Sequence, residues 1–162
     1  MCERMRAMLS DELRGEIRAL LDQYEEPRSA LMPAFWLAQQ SDGHLAAEAI
    51  SEIAEIVGVD PGYASGVASF YTMYHLRPVG RHVIQVCKTL SCRMAGAEDI
   101  LEHLKAKLGI NLGETTPDGA FSLCTSECLA SCGTAPVMLV DDDLYENLTP
   151  ERVDEILTQL GG

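Results

Sequence analysis

Five of the six cysteines of this 162-residue chain fall in two short windows. The first is Val83-Ile84-Gln85-Val86-Cys87-Lys88-Thr89-Leu90-Ser91-Cys92. The second is Cys124-Thr125-Ser126-Glu127-Cys128-Leu129-Ala130-Ser131-Cys132-Gly133. Each window follows an apolar run of strand length, so each reads as a strand that ends near a thiol and then turns. A strand end fixes one sulfur, and the polar loop after it aims peptide N–H groups at whatever the sulfurs hold. Two segments far apart in sequence must therefore meet in the fold.

Spacing narrows what the sulfurs bind. Thiol–disulfide exchange wants two cysteines separated by two residues, and the chain has no such pair. Structural zinc favours the same tight knuckles; four thiolates would satisfy it, so a zinc-stabilised interaction module remains an alternative reading. A [4Fe–4S] cluster usually draws three ligands from one C-x2-C-x2-C run, which is absent. A Rieske centre needs two histidines beside the cysteines, and His44, His75, His82 and His103 are not so placed. Two separated pairs with wider loops suit a planar [2Fe–2S] rhomb, each pair clamping one iron. An all-thiolate centre in an acidic chain is expected at low potential, on the order of −400 mV. Spacing leaves open which four of the five sulfurs serve, because Cys124, Cys128 and Cys132 are evenly separated.

Composition bounds the setting. An apolar fraction of 47% is ample for a core. A net charge of −13, with 25 acidic against 12 basic residues, argues against nucleic acid or an anionic membrane face as main partner. The start Met1-Cys2-Glu3-Arg4-Met5-Arg6-Ala7 is charged and opens no secretory apolar region. No apolar run approaches the roughly 20 residues needed to cross a bilayer, so no direct membrane insertion is expected. A reducing compartment then favours metal ligation over disulfides.

The first half reads as helices. Ser10 caps a helix opened by Asp11 and Glu12, with Leu13, Ile17, Leu20, Leu21 and Tyr24 as its apolar stripe. Glu25 to Arg28 breaks it, and Ser29 starts a second helix through Phe35 and Leu37. Gln39 to Gly43 reads as a loop. A third helix buries Ile50, Ile53, Ala54 and Val57, turns Glu48, Glu52 and Glu55 mostly outward, and stops at Gly58. Asp60-Pro61 opens a fourth, with Tyr63, Val67, Phe70, Tyr71 and Tyr74 as its stripe to about His75.

After Leu76 to Gly80 the period changes. The strand Val83 to Val86 delivers Cys87, and Ala97, Ile100, Leu101, Leu104 and Leu108 mark a helix closed by Gly109. Thr116-Pro117-Asp118-Gly119 is a turn leading to a strand at Ala120 to Leu123. Further strands follow at Val137 to Val140 and Leu144 to Asn147, and Thr149-Pro150 opens the last helix. The fold class implied is α+β: a tail over residues 1–10, a helical bundle over 11–79, and a thioredoxin-like α/β domain over 80–162, with a helix covering each crossover.

The run Cys87-x4-Cys92, the turn Gly113 to Gly119, and Glu127-Cys128-Leu129-x-x-Cys132-Gly133-x-Ala135-Pro136 resemble the NuoE family. That family is the small [2Fe–2S] subunit of NADH:quinone oxidoreductase (complex I). Ala64 to Met73, Arg77-Pro78-Val79-Gly80 and Tyr145 to Pro150 resemble it too, so the likeness spans about residues 11 to 160. The resemblance implies a thioredoxin-like [2Fe–2S] ferredoxin domain with Cys87, Cys92, Cys128 and Cys132 as cluster ligands. Cys124 departs from the pattern as a packed thiol on a strand, and Cys2 has no assigned role. The resemblance also implies a flavoprotein partner carrying FMN, the NADH site and a [4Fe–4S] cluster, since this chain shows no nucleotide-binding turn of its own. No turnover is expected from the isolated chain. NAD-linked hydrogenases and formate dehydrogenases use similar diaphorase subunits and supply the alternative parent. The expected location is cytoplasmic, in the soluble or peripheral arm of a complex that can be membrane-attached.

Overall fold

The computed structural model describes residues 9–161; Cys2 and the charged start of the chain lie outside the described residues. The chain divides into two compact units between Pro78 and Val79.

The first unit is helical. Helix α1 (Asp11–Leu21) starts where the Ser10 side chain accepts from the Leu13 N–H, and acidic residues occupy its first turn. A 3-10 turn at Pro27–Ala30 runs directly into α2 (Leu31–Asp42), followed by α3 (Ala47–Val57) and α4 (Pro61–Phe70). Asp60 caps α4 through the Tyr63 N–H, with Pro61 in the first position. Ile17, Leu31, Phe35, Leu45 and Ile53 are fully buried between these helices, and Phe35 meets Tyr74 edge-on at 5.5 Å.

Three readings are corrected here. Gln39 to Asp42 is helix, not loop, and ends at Gly43 in the left-handed region. Its polarity is explained by burial: the Gln39 amide donates to the Met73 carbonyl at 2.9 Å and accepts from the His75 N–H at 2.6 Å. Helix α4 ends at Phe70 and buries Ala64 and Ala68, leaving Tyr63, Phe70 and Tyr71 exposed; Tyr74 alone of the aromatics on that stripe is buried. Two small residues one turn apart seat the helix on the core closely, so the large side chains point away. Glu52 is half-buried, with one carboxylate oxygen 2.5 Å from Arg14 Nε and the other accepting from the Leu9 N–H.

The second unit is a four-stranded mixed sheet with helices on it. Strand β1 (His82–Cys87) is followed by a short helix α5 (Leu90–Met94) and by α6 (Ala97–Leu108), which Gly109 ends in the left-handed region. Strands β2 (Phe121–Ser126), β3 (Met138–Val140) and β4 (Asp143–Tyr145) precede α7 (Pro150–Gln159), capped by Thr149. The sheet order is β2-β1-β3-β4; β1 and β2 run parallel, while β3 is antiparallel to both β1 and β4. Ile84, Val86, Leu123 and Met138 pack with Ile100 and Leu104 of α6 and Val153 and Ile156 of α7 in one core.

Only the parallel β1-to-β2 crossover carries a full helix. The connection from β2 to β3 passes to the far side of β1 with no α-helix, only a 3-10 turn at Cys132–Thr134. A helix is not needed there, because antiparallel strands can be joined at one end of a sheet. The expectation of a helix over each crossover is corrected accordingly.

Candidate iron–sulfur site

Topology gathers the cysteines. Cys87 is the last residue of β1 and pairs in register with Ser126 at the end of parallel β2. The Cys87 N–H donates to the Val137 carbonyl just before antiparallel β3. The ends of β1 and β2 and the start of β3 therefore share one end of the sheet. Cys128 leaves β2 there, and Cys132 enters the turn that leads to β3.

Cys87 and Cys92 are buried. Cys92 sits on α5 rather than in a polar loop, so the first window is a strand end followed by a helical turn. The two side chains hydrogen-bond each other. Burial pushes the Cys87 thiol up, but hydrogen bonds from the Thr89 and Leu129 backbone and from the Cys92 thiol bring it below its ordinary value. Burial, then the hydrogen bond to and charge of Cys87, raise Cys92 to about 11; the Val137 N–H offsets part of this and Cys132 adds to it. Cys128 and Cys132 are exposed, and the Ala130 N–H points at Cys128 Sγ from 3.3 Å. Ala130 holds a positive φ of 58° to make that turn, a conformation that alanine adopts at a cost.

The polar frame around these sulfurs is not legible from cysteine spacing. The Thr89 hydroxyl donates to the Glu127 carbonyl, and Lys88 Nζ reaches Glu127 Oε1 at 2.8 Å, so the two windows are tied together. Beyond Cys132, the hydroxyls of Ser131 and Thr134 both donate to Glu146 Oε1, which holds that carboxyl below its ordinary range. The one sequence signal for this frame is that its members flank cysteines or follow the last strand.

Cys124 lies within β2, half-buried and paired in register with Gln85, and burial alone raises its thiol. No partner in that strand aims a hydrogen bond at its sulfur. His82 opens β1 at the end opposite Cys87 and pairs with Asp141, while His103 of α6 pairs with Asp154 of α7. Among the described residues no three His, Cys, Asp or Glu side chains form a compact metal cage.

The donor set nevertheless suits a [2Fe–2S] group. It offers soft thiols as two pairs, one on the end of β1 and α5 and the other in the segment after β2, and backbone N–H groups aimed at sulfur from Thr89, Leu129, Val137 and Ala130. Such N–H groups stabilise thiolates and the negative charge that such a group carries.

Known proteins bear on the same residues. The family model for the thioredoxin-like [2Fe–2S] ferredoxin matches residues 17–161. An NADH-quinone oxidoreductase subunit of Rhizobium meliloti is 47% identical over 145 residues, covering 90% of this chain and 86% of that one. NADH-quinone oxidoreductase subunit 2 of Thermus thermophilus is 47% identical over 137 residues, covering 84% of this chain and 76% of that one. A crystal structure of NAD+-reducing [NiFe]-hydrogenase contains a chain that superposes with a TM-score of 0.70 at 25% identity. That likeness covers 80% of this chain but 22% of the hydrogenase chain. Agreement of that breadth in sequence fixes the relationship: this chain belongs to the thioredoxin-like [2Fe–2S] ferredoxin family, whose cofactor is one [2Fe–2S] cluster.

Proposed function

We propose that this chain is the small electron-transfer subunit of an NADH:quinone oxidoreductase (complex I), holding its cluster on Cys87, Cys92, Cys128 and Cys132. What supports this reading is that the backbone segments carrying the two thiol pairs, the end of β1 with α5 and the loop after β2, reach the same end of the sheet, with Cys87 and Cys92 buried and Cys128 and Cys132 exposed. When bound, the cluster supplies one-electron chemistry. The protein's part is to hold it and to limit its contact with water. Buried Cys87 and Cys92 anchor the site in the core of the second unit, with N–H donors from Thr89, Leu129 and Val137 meeting the sulfurs. The Cys128–Cys132 loop forms the exposed side, where a redox partner would approach.

That partner is a flavoprotein subunit bearing FMN and the NADH site. The chain offers no Gly-rich nucleotide turn or P-loop, so hydride chemistry belongs to the partner and this chain exchanges one electron at a time with its flavin. No helix among the described residues is long and apolar enough to cross a membrane, in keeping with a place in a cytoplasmic peripheral arm. The hydrogenase likeness favours a second reading, the corresponding diaphorase subunit of an NAD-linked hydrogenase, with formate dehydrogenase as a further parent of the same kind.

Isolating the native assembly and identifying its subunits tests this. Co-purification with an NADH- and FMN-binding subunit and quinone-reducing subunits is the expected outcome; a hydrogenase or formate dehydrogenase large subunit would replace it with the second reading. Visible absorption and an EPR signal after dithionite reduction separate both from a zinc module, which gives neither.

A further inference from the structure

The segment after β4 runs beside the turn that carries Cys132. The Asn147 N–H donates to the Thr134 carbonyl at 2.8 Å and the Leu148 N–H to the Pro136 carbonyl at 3.0 Å. Asn147 takes a positive φ of 49°, a conformation asparagine tolerates better than most residues, and so turns Glu146 back onto the loop. There one oxygen, Oε1, receives both the Ser131 and the Thr134 hydroxyls. Each hydroxyl has a single proton to give. Thr134 Oγ1 also lies 3.2 Å from the Ser131 carbonyl and 2.8 Å from Ser131 Oγ, but the contacts to Oε1 are shorter and the acceptor there is charged. The carboxylate therefore takes the protons of both side chains that bracket Cys132 and Gly133. Cys132 itself is exposed, and among the described residues no other side chain is seen to hydrogen-bond into the 131–134 turn.

We propose that Glu146 is a positioning residue for the cluster: it clasps Ser131 and Thr134 so that the Cys132 thiolate is presented in a fixed direction. The proposal rests on the ligand assignment above. The physical ground is general. A ligand on an exposed loop has little packing to orient it, and hydrogen bonds one shell out then set how well the ligand geometry is held; their loss costs roughly 10- to 100-fold in metal affinity.

The test uses the full chain reconstituted with iron and sulfide, comparing wild type, Glu146→Ala, Glu146→Gln and the double variant Ser131→Ala/Thr134→Val. The readouts are the rate of cluster loss to a chelator and the line shape of the reduced EPR signal, with the thermal melt as a fold control. Glu146→Ala is expected to release the cluster about tenfold faster and to broaden the EPR lines. The double variant is expected to do the same from the other side of the clasp. Glu146→Gln is expected to rescue both readouts, because its amide carbonyl oxygen accepts the same two protons. Wild-type release rates and line shape in Glu146→Ala and in the double variant, alongside an intact wild-type cluster, would overturn the clasp. Failure of Gln to rescue would overturn it also. A wild type that takes up no cluster would instead bring down the ligand assignment itself.

Discussion

The hydroxyl of Thr89, two residues past Cys87, donates to the backbone carbonyl of Glu127, the residue before Cys128. Reinforced by the Lys88–Glu127 ion pair, it joins the two cysteine windows across 38 positions of sequence. The windows are therefore held together by contacts that do not involve sulfur. This separates the effects of ligand loss from those of misfolding.

Substituting the candidate ligands one at a time exploits that separation. Cys128→Ser is expected to abolish the native cluster signal while leaving far-UV circular dichroism near wild type, because Cys128 is exposed and contributes no core packing. Cys124→Ala is expected to keep the signal, since Cys124 sits inside β2 rather than at the sheet end. Bleaching by Cys124→Ala with retention of colour in Cys132→Ala would move the ligand register.

Gln39 is buried and ties α2 to the chain after α4 through Met73 and His75. Gln39→Leu keeps much of the volume but removes both hydrogen bonds, and is expected to cost about 2 kcal/mol of stability. Chemical denaturation followed by circular dichroism measures it. A change under about 0.5 kcal/mol, the size of an ordinary surface substitution, would show that these contacts add nothing.

Gly80 is needed for space, not for an unusual φ. A Cβ there would lie 2.8 Å from the Phe121 carbonyl carbon and 2.9 Å from its nitrogen, and strand backbone cannot move aside as a flexible side chain would. The Gly80 N–H also donates to Ser122 Oγ at 2.8 Å. Gly80→Ala is expected to destabilise the second unit by about 1–3 kcal/mol, an overpacking cost read from the denaturation midpoint.

Asp118 accepts from the Thr116 hydroxyl and then from the Ala120 N–H, and these hydrogen bonds hold its carboxyl below the ordinary aspartate value. A group depressed on folding stabilises the native state above its unfolded pKa, and that contribution is lost as pH falls through the folded value. Wild type is therefore expected to exceed Asp118→Asn in denaturant midpoint at pH 7. The gap should begin to close near pH 4, about the ordinary aspartate pKa, and vanish at lower pH. An unchanged gap at pH 2 would assign the difference to something other than the carboxylate.

What the sequence determined was local or chemical. Ser10, Asp60 and Thr149 cap the helices they precede, and Gly58 and Gly109 close theirs in the left-handed region, because capping depends on a few adjacent residues. The cysteine pattern and its neighbours also sufficed for the family and its cofactor. Only the tertiary structure decided which faces are buried. Polar Gln39 reads as loop until its partners after α4 are in place. The aromatic stripe of α4 reads as core until Ala64 and Ala68 are seen to make the contact. Glu146 looks like any exposed acid, yet it reaches the Cys132 turn from beyond β4. Burial and long-range hydrogen bonding depend on elements distant in the chain, and residue periodicity within one element carries no record of them.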